Sequence, residues 1–213
     1  MPAPSAQVPP LIARALGCSP APFGWRVLAL IIDLLIAGIA AGLILTRVVL
    51  PQEIPDAADV ANNQWQIIWA ASEQAAAGKS VPIPQPTQEF LNLIEITVQT
   101  IFLTLFGYFA GCELGGQGAT LGKRVFRLRV AQWGTGEPPR PLETLIRAMV
   151  KTASLVAWLA VSLFGIPILL LNVVPVAFNR TRRAGHDLMA RTLVTGDPLP
   201  PPAPEPPPHF DED

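Results

Sequence analysis

FGWRVLALIIDLLIAGIAAGLILTRVVL, Phe23 to Leu50, decides the class of fold, because it is too apolar to leave in water and carries one acid within it. From Val27 to Thr46 there are twenty residues, a helix of about 30 Å at roughly 1.5 Å per residue, which matches the hydrocarbon thickness of a bilayer. The six Leu, five Ile and one Val of that run favour insertion by about 5 kcal/mol together, against about 3 kcal/mol for carrying Asp33 with them. The helix inserts, and an acid held in a membrane at such a cost is a candidate functional residue.

Outward from that stretch, the 213-residue chain is 50% hydrophobic with a mean hydropathy of +0.39. That is enough for one domain and too apolar for an ordinary soluble one, so a small multi-pass protein of the lipid bilayer is expected. A net charge of −1 supplies no global field to recruit nucleic acid, which is not an expected partner. Cys18 and Cys112 allow at most one bridge and are read as free thiols on the reducing side. Residues 1–22 are Pro-rich, without a charged n-region or a continuous apolar h-region, and read as a tail before an uncleaved anchor. Residues 196–213, mostly PLPPPAPEPPPHFDED, read as a Pro-rich acidic disordered tail.

After the first span, at about 27–50, the loop 51–89 carries five acids against Lys79, net −4, and belongs outside. Within it NNQWQIIWAASEQAAAG has the pattern of an amphipathic helix, with Trp65 and Trp69 four apart, suited to a membrane interface or to packing as a loop helix. The second span, at about 90–111, reads FLNLIEITVQTIFLTLFGYFAG and is unusually polar. Glu95 and Gln99 share a face as an outer polar station, with Glu95 either snorkelling to the interface or buried. Thr97, Thr100 and Thr104 can bond back to their own helix. Gly38 with Gly42, and Gly107 with Gly111, allow close helix contact within one chain or between copies in a homo-oligomer.

From Cys112 to Lys151 the sign reverses to net +4, which makes this segment, and with it the amino terminus two spans away, cytoplasmic. Alternation along Val125 to Val130 predicts a short strand. The Gly122-Lys123 pair does not make a phosphate loop: Gln117 stands where the first Gly is needed and Arg124 where Ser or Thr is needed. Lys123, Arg124, Arg127 and Arg129 are read instead as facing anionic lipid headgroups.

The third apolar region, about 145–178, is too long for one untilted crossing and is interrupted by FGIP and by Pro175. Arg180, Arg182, Arg183 and Arg191 follow, so basic residues flank it on both sides. A helical hairpin turning near Gly165 keeps both ends and the carboxyl terminus cytoplasmic; one long kinked span is the alternative. Thr192 to Thr195 can then pair with Phe126 to Val130. The expected fold is an all-α membrane protein with two transmembrane helices, a broken third apolar region and a small cytoplasmic strand pair.

Three pieces in order resemble the RDD family, named for one arginine and two aspartates: FGWRVLALIIDLLI with Arg26 and Asp33, ATLGKRVFRLRV at 119–130, and RRAGHDLMARTLV with His186 and Asp187. The family's Ala-Gly-Thr after the last motif is here Ala190-Arg191-Thr192. The resemblance covers about 23–195, apart from the outer loop, and implies an integral protein of the cell (inner) membrane, transport of an unidentified ligand or cation exchange against protons, and no established enzyme activity.

Two functions follow from the residues. In the first, Asp33 alternately holds a proton or a cation, Glu95 and Gln99 serve the outer side, and Arg26 with Asp187 gates the cytoplasmic mouth. In the second, Arg26, Asp33 and Asp187 form a structural network in a membrane anchor or assembly factor. Arg26 and Asp33 are about 10 Å apart along the helix, so Asp33 needs a partner other than Arg26: a basic residue between Lys123 and Lys151, a group near Asp187, or a proton. Arg26 can also snorkel to the headgroups. His186 and Asp187 are too few for tetrahedral zinc, with His209 in the tail, and neither a metal nor a cofactor is expected.

Overall fold

The computed structural model describes residues 20–116, 118–160, 162–178 and 183–196. Most of both tails, with Cys18 and His209, and the cluster residues Arg180 and Arg182 lie outside the described residues.

Helix α1 (Phe23–Ile44) starts after Pro22 and runs through one π turn (Leu45–Val49) into α2 (Leu50–Glu53). It is long and apolar enough to cross a membrane, as is α4 (Gln88–Gly115). Thr87 fixes the start of α4, its hydroxyl accepting from the Phe90 N–H at 3.3 Å. Between them α3 (Ala57–Ala76) is longer than the sequence pattern. It turns Val60 and Gln64 inward, Gln64 accepting from the Thr87 N–H, and leaves Trp65 and Trp69 exposed.

The buried stripe of α1 is Ala29, Asp33, Ala37 and Ala41, every fourth residue, while Leu28, Ile31, Leu35, Ile39 and Leu43 face outward. Small side chains let α1 approach its neighbours, and the acid sits in the middle of that stripe. The glycine pairs are not where the chain packs on itself: Gly38, Gly42, Gly107 and Gly111 have nothing within 4 Å of an added methyl. They lie one step round each helix from its inward stripe, which alanines and Leu105, Phe109 and Glu113 occupy.

After α4, a tight turn leads to α5 (Leu121–Val125), then β1 (Arg129–Gln132). The strand therefore begins at Arg129, not Phe126: one helical turn docks against α1 first, and Arg127, at φ +53°, redirects the chain. β1 pairs antiparallel with β2 (Thr192–Thr195), Val130 opposite Val194. Pro20 bridges to Thr195, and the Ala21 N–H donates to the Val194 carbonyl at 2.9 Å.

The third region is α6 (Pro141–Ala160) and α7 (Ser162–Phe178), so Gly165 lies inside α7 rather than at a turn, as do Pro167 and Pro175. A proline loses one main-chain hydrogen bond without ending the helix when the flanking apolar residues keep it packed. Arg147, early in α6, and Asn172, late in α7, both reach the short α8 (Gly185–Met189). That is possible only if α7 returns alongside α6, so the region is a hairpin. Leu30, Leu34, Ala37, Leu105, Phe109, Ala148 and Val156 form the core of α1, α4 and α6. The molecule is an all-α membrane protein with a polar, strand-bearing layer at one end of its helices.

Candidate functional site

Asp33 is 1% exposed, and its carboxylate is filled by donors from two other elements. Oδ1 accepts from the Tyr108 hydroxyl of α4 at 2.6 Å and from the Gly122 N–H of α5 at 2.8 Å. Oδ2 accepts from the Thr120 hydroxyl at 2.6 Å. Sequence reasoning offered this acid a basic residue between Lys123 and Lys151, a group near Asp187 or a proton, and among the described residues no cation forms an ion pair with it. A carboxylate accepting three hydrogen bonds, two of them from neutral hydroxyls, is satisfied without one. Gly122 is required for the approach, since a methyl there would lie 2.1 Å from the Ala29 carbonyl oxygen.

A second cluster surrounds Asp187. Its Oδ1 lies 3.1 Å from Arg147 Nε and 3.5 Å from His186 Nε2, and its Oδ2 accepts from the Ala184 N–H at 3.2 Å, closing the first turn of α8. Burial alone would raise this carboxyl, but the Arg147 guanidinium, with Arg26 and the Ala184 N–H, holds it well below the usual carboxylate range. Arg147 also pairs at 3.6 Å with Glu113, which in turn pairs with Lys123. His186 donates from its backbone N–H, at 3.0 Å, to Asn172 Oδ1. The same oxygen therefore also accepts from Nδ1 at 2.8 Å, which assigns the Nδ1–H tautomer. Burial pushes the imidazole down to about 3, with Arg147, Lys151 and Lys123 adding to it and Asp187 opposing.

Arg26 does not reach for headgroups; its Nη2 donates to the Val194 carbonyl at 2.8 Å, tying α1 to β2. Arg183 does the same for α8, donating to the Thr192 and Asp187 carbonyls and lying over the Trp133 ring at 4.4 Å.

A sequence profile of the RDD family matches residues 20–191. The chain belongs to the RDD family. No curated protein and no solved structure matches it. Arg26, Asp33 and Asp187, the residues that carried the resemblance, all line one cavity of about 160 Å³ between α1, α6, α7 and α8, together with His186. Arg191, where the resemblance implied a glycine, sits at φ +51°, the left-handed region that glycine adopts without cost.

Two sequence expectations fall elsewhere. Glu95 and Gln99 bond each other at 2.9 Å on the exposed surface of α4 and line an open acidic cleft with Glu53, Asp56 and Glu89; thirteen residues separate Glu95 from Tyr108, about 20 Å of helix. Lys123 does not face lipid: it is buried because Gly122 brings α5 against α1, and Glu113 neutralises it. Arg124 and Arg127 are exposed, and Arg129 is half-buried. Thr100 bonds back to the Ile96 carbonyl. Glu113, Arg147 and Lys151 entered the sequence reading only as charges near a membrane or as candidate partners of Asp33. The spacing of Thr144, Arg147, Ala148, Lys151, Thr152 and Leu155 puts those polar residues on the apolar face of α6, and that pattern marks them as buried.

Proposed function

We propose that this RDD protein is a non-catalytic membrane anchor or assembly factor, lying in the cell membrane with the strand-bearing layer on the cytoplasmic side. The saturation of the Asp33 carboxylate by Tyr108, Thr120 and Gly122 carries this reading. An exchange site must release its cation and take a proton in turn, whereas here one donor is a fixed backbone N–H and the other two are held by α4 and by the buried residue that precedes α5. Arg26, Asp33 and Asp187 each join elements far apart in the chain, which is the work of a structural network. The net positive charge between Cys112 and Lys151 supports the orientation.

Cation–proton exchange at Asp33 is the competing reading, favoured by its place on the cavity wall. Asp33→Asn separates the two. The scaffold reading expects a lower folded yield in detergent, with no cation-driven proton flux in wild-type proteoliposomes carrying a pH dye. A normal yield with flux present in the wild type and lost in the variant refutes it in favour of exchange.

A further inference from the structure

Lys151 is 8% exposed and lines the same cavity. Among the described residues it makes no hydrogen bond and no ion pair; its Nζ lies 3.5 Å from the centre of the Phe109 ring. The carboxylates nearby are engaged. Asp33 accepts three hydrogen bonds, Asp187 holds Arg147 and closes α8, and Glu113 is shared by Lys123 and Arg147. An aromatic face attracts an ammonium but offsets only part of the loss of water around it. The cavity walls beside Lys151 are apolar, formed by Val27, Leu30, Leu155, Val173 and Val176. Val173 and the lining residue Phe23 are half exposed, each on an apolar helix.

We propose that this cavity binds an anionic lipid from the leaflet on the strand-bearing side, its headgroup phosphate against the Lys151 ammonium and its acyl chain along the α1 and α7 walls. A free anion would satisfy the ammonium and leave the apolar walls uncovered. A neutral lipid would cover the walls and leave the ammonium without a counter-charge. An amphiphilic anion does both, and it does so at an interior cation, apart from the exposed Arg124 and Arg127.

The test uses the full-length protein, delipidated in a neutral detergent, with thermal unfolding followed as phosphatidylglycerol, phosphatidylcholine or inorganic phosphate is added. Phosphatidylglycerol is expected to raise the wild-type midpoint saturably, and the other two to leave it unchanged. Lys151→Met keeps the stem on Phe109, and Val173→Trp fills the cavity from its half-exposed wall; each is expected to weaken phosphatidylglycerol at least tenfold, while Arg124→Gln does not. A phosphatidylglycerol response equal to wild type in Val173→Trp or Lys151→Met overturns the proposal. So does an equal effect of phosphatidylcholine, which indicates general lipid packing, or of inorganic phosphate, which indicates a free-anion site. If Lys151→Met does not fold, Val173→Trp decides alone.

Discussion

Gly122→Ala sets one methyl group against the backbone of the first membrane helix. The added Cβ would lie 2.1 Å from the Ala29 carbonyl oxygen and 2.9 Å from Asp33 Oδ1, where ordinary contact begins at 3.4 Å, so α5 must withdraw by about 1.3 Å. That takes the Gly122 N–H out of reach of Asp33, now at 2.8 Å, and drags Thr120 and Lys123 away from their partners. A hydrogen bond to a charged acceptor together with overpacking of this kind costs about 3–5 kcal/mol, which lowers the unfolding midpoint by on the order of 10 °C for a chain of this size. The assay is thermal unfolding in detergent, followed by size-exclusion chromatography of the soluble fraction. Gly107→Ala is the control: it meets nothing within 4 Å and, in a helix interior, should be neutral or stabilising by about 0.5–1 kcal/mol. A Gly122→Ala midpoint indistinguishable from wild type would show that α5 does not dock on α1 in this way.

Glu113→Gln strips the counter-charge from Lys123 and weakens the hold on Arg147, a loss of about 3–5 kcal/mol that should appear as reduced folded yield and be partly restored by adding Lys123→Met; unchanged yield contradicts a buried network. The unfolded chain's His186 takes up a proton near pH 6.5 while the folded imidazole stays neutral down to about 3. Its contribution is therefore full above pH 6.5 and lost on acidification, by about 2 kcal/mol between pH 7 and pH 5. Asp187, depressed in the folded state, loses its contribution in the same direction below about pH 4. His186→Gln should flatten the midpoint-against-pH curve between 7 and 5, and an unflattened curve assigns the slope to other groups. Arg191→Gly removes a left-handed side-chain residue and should raise the midpoint by a few degrees, worth about 1 kcal/mol; a lower midpoint would mean the arginine side chain outweighs the strain.

Asp33 was legible because a charge in an apolar run stands out against its neighbours, and so were the two long spans and the returning third region, which length and flanking arginines imply. Its partners were not. That Tyr108 and Gly122 meet Asp33 depends on how α4 and α5 dock, and periodicity within one helix says nothing about rotation against another. The positive-inside argument counts Lys123, Arg147 and Lys151 as surface charges, a treatment that hides their burial. Gly38 and Gly42 attracted attention as small residues, while the inward small residues are Ala29, Ala37 and Ala41. The alternation from Val125 to Val130 suggested a strand, but the close approach at Gly122 makes its first residues a helical turn and its middle a bend.

The Val194 carbonyl accepts both the Ala21 N–H and the Arg26 guanidinium, the latter across 168 positions of chain. At a synthesis rate of about 5–20 residues per second, α1 is in the bilayer for on the order of ten seconds before its fastening strand exists. An early helix is thus locked late, by a strand far along the chain. A nascent chain stopped before Thr192 keeps its spans and lacks the clasp, leaving Arg26 without the Val194 carbonyl and the edge at Ala21 open. Completion of this clasp thereby waits on synthesis of β2, and quality control that reads the exposed start of α1 would discriminate chains that have reached β2 from shorter ones.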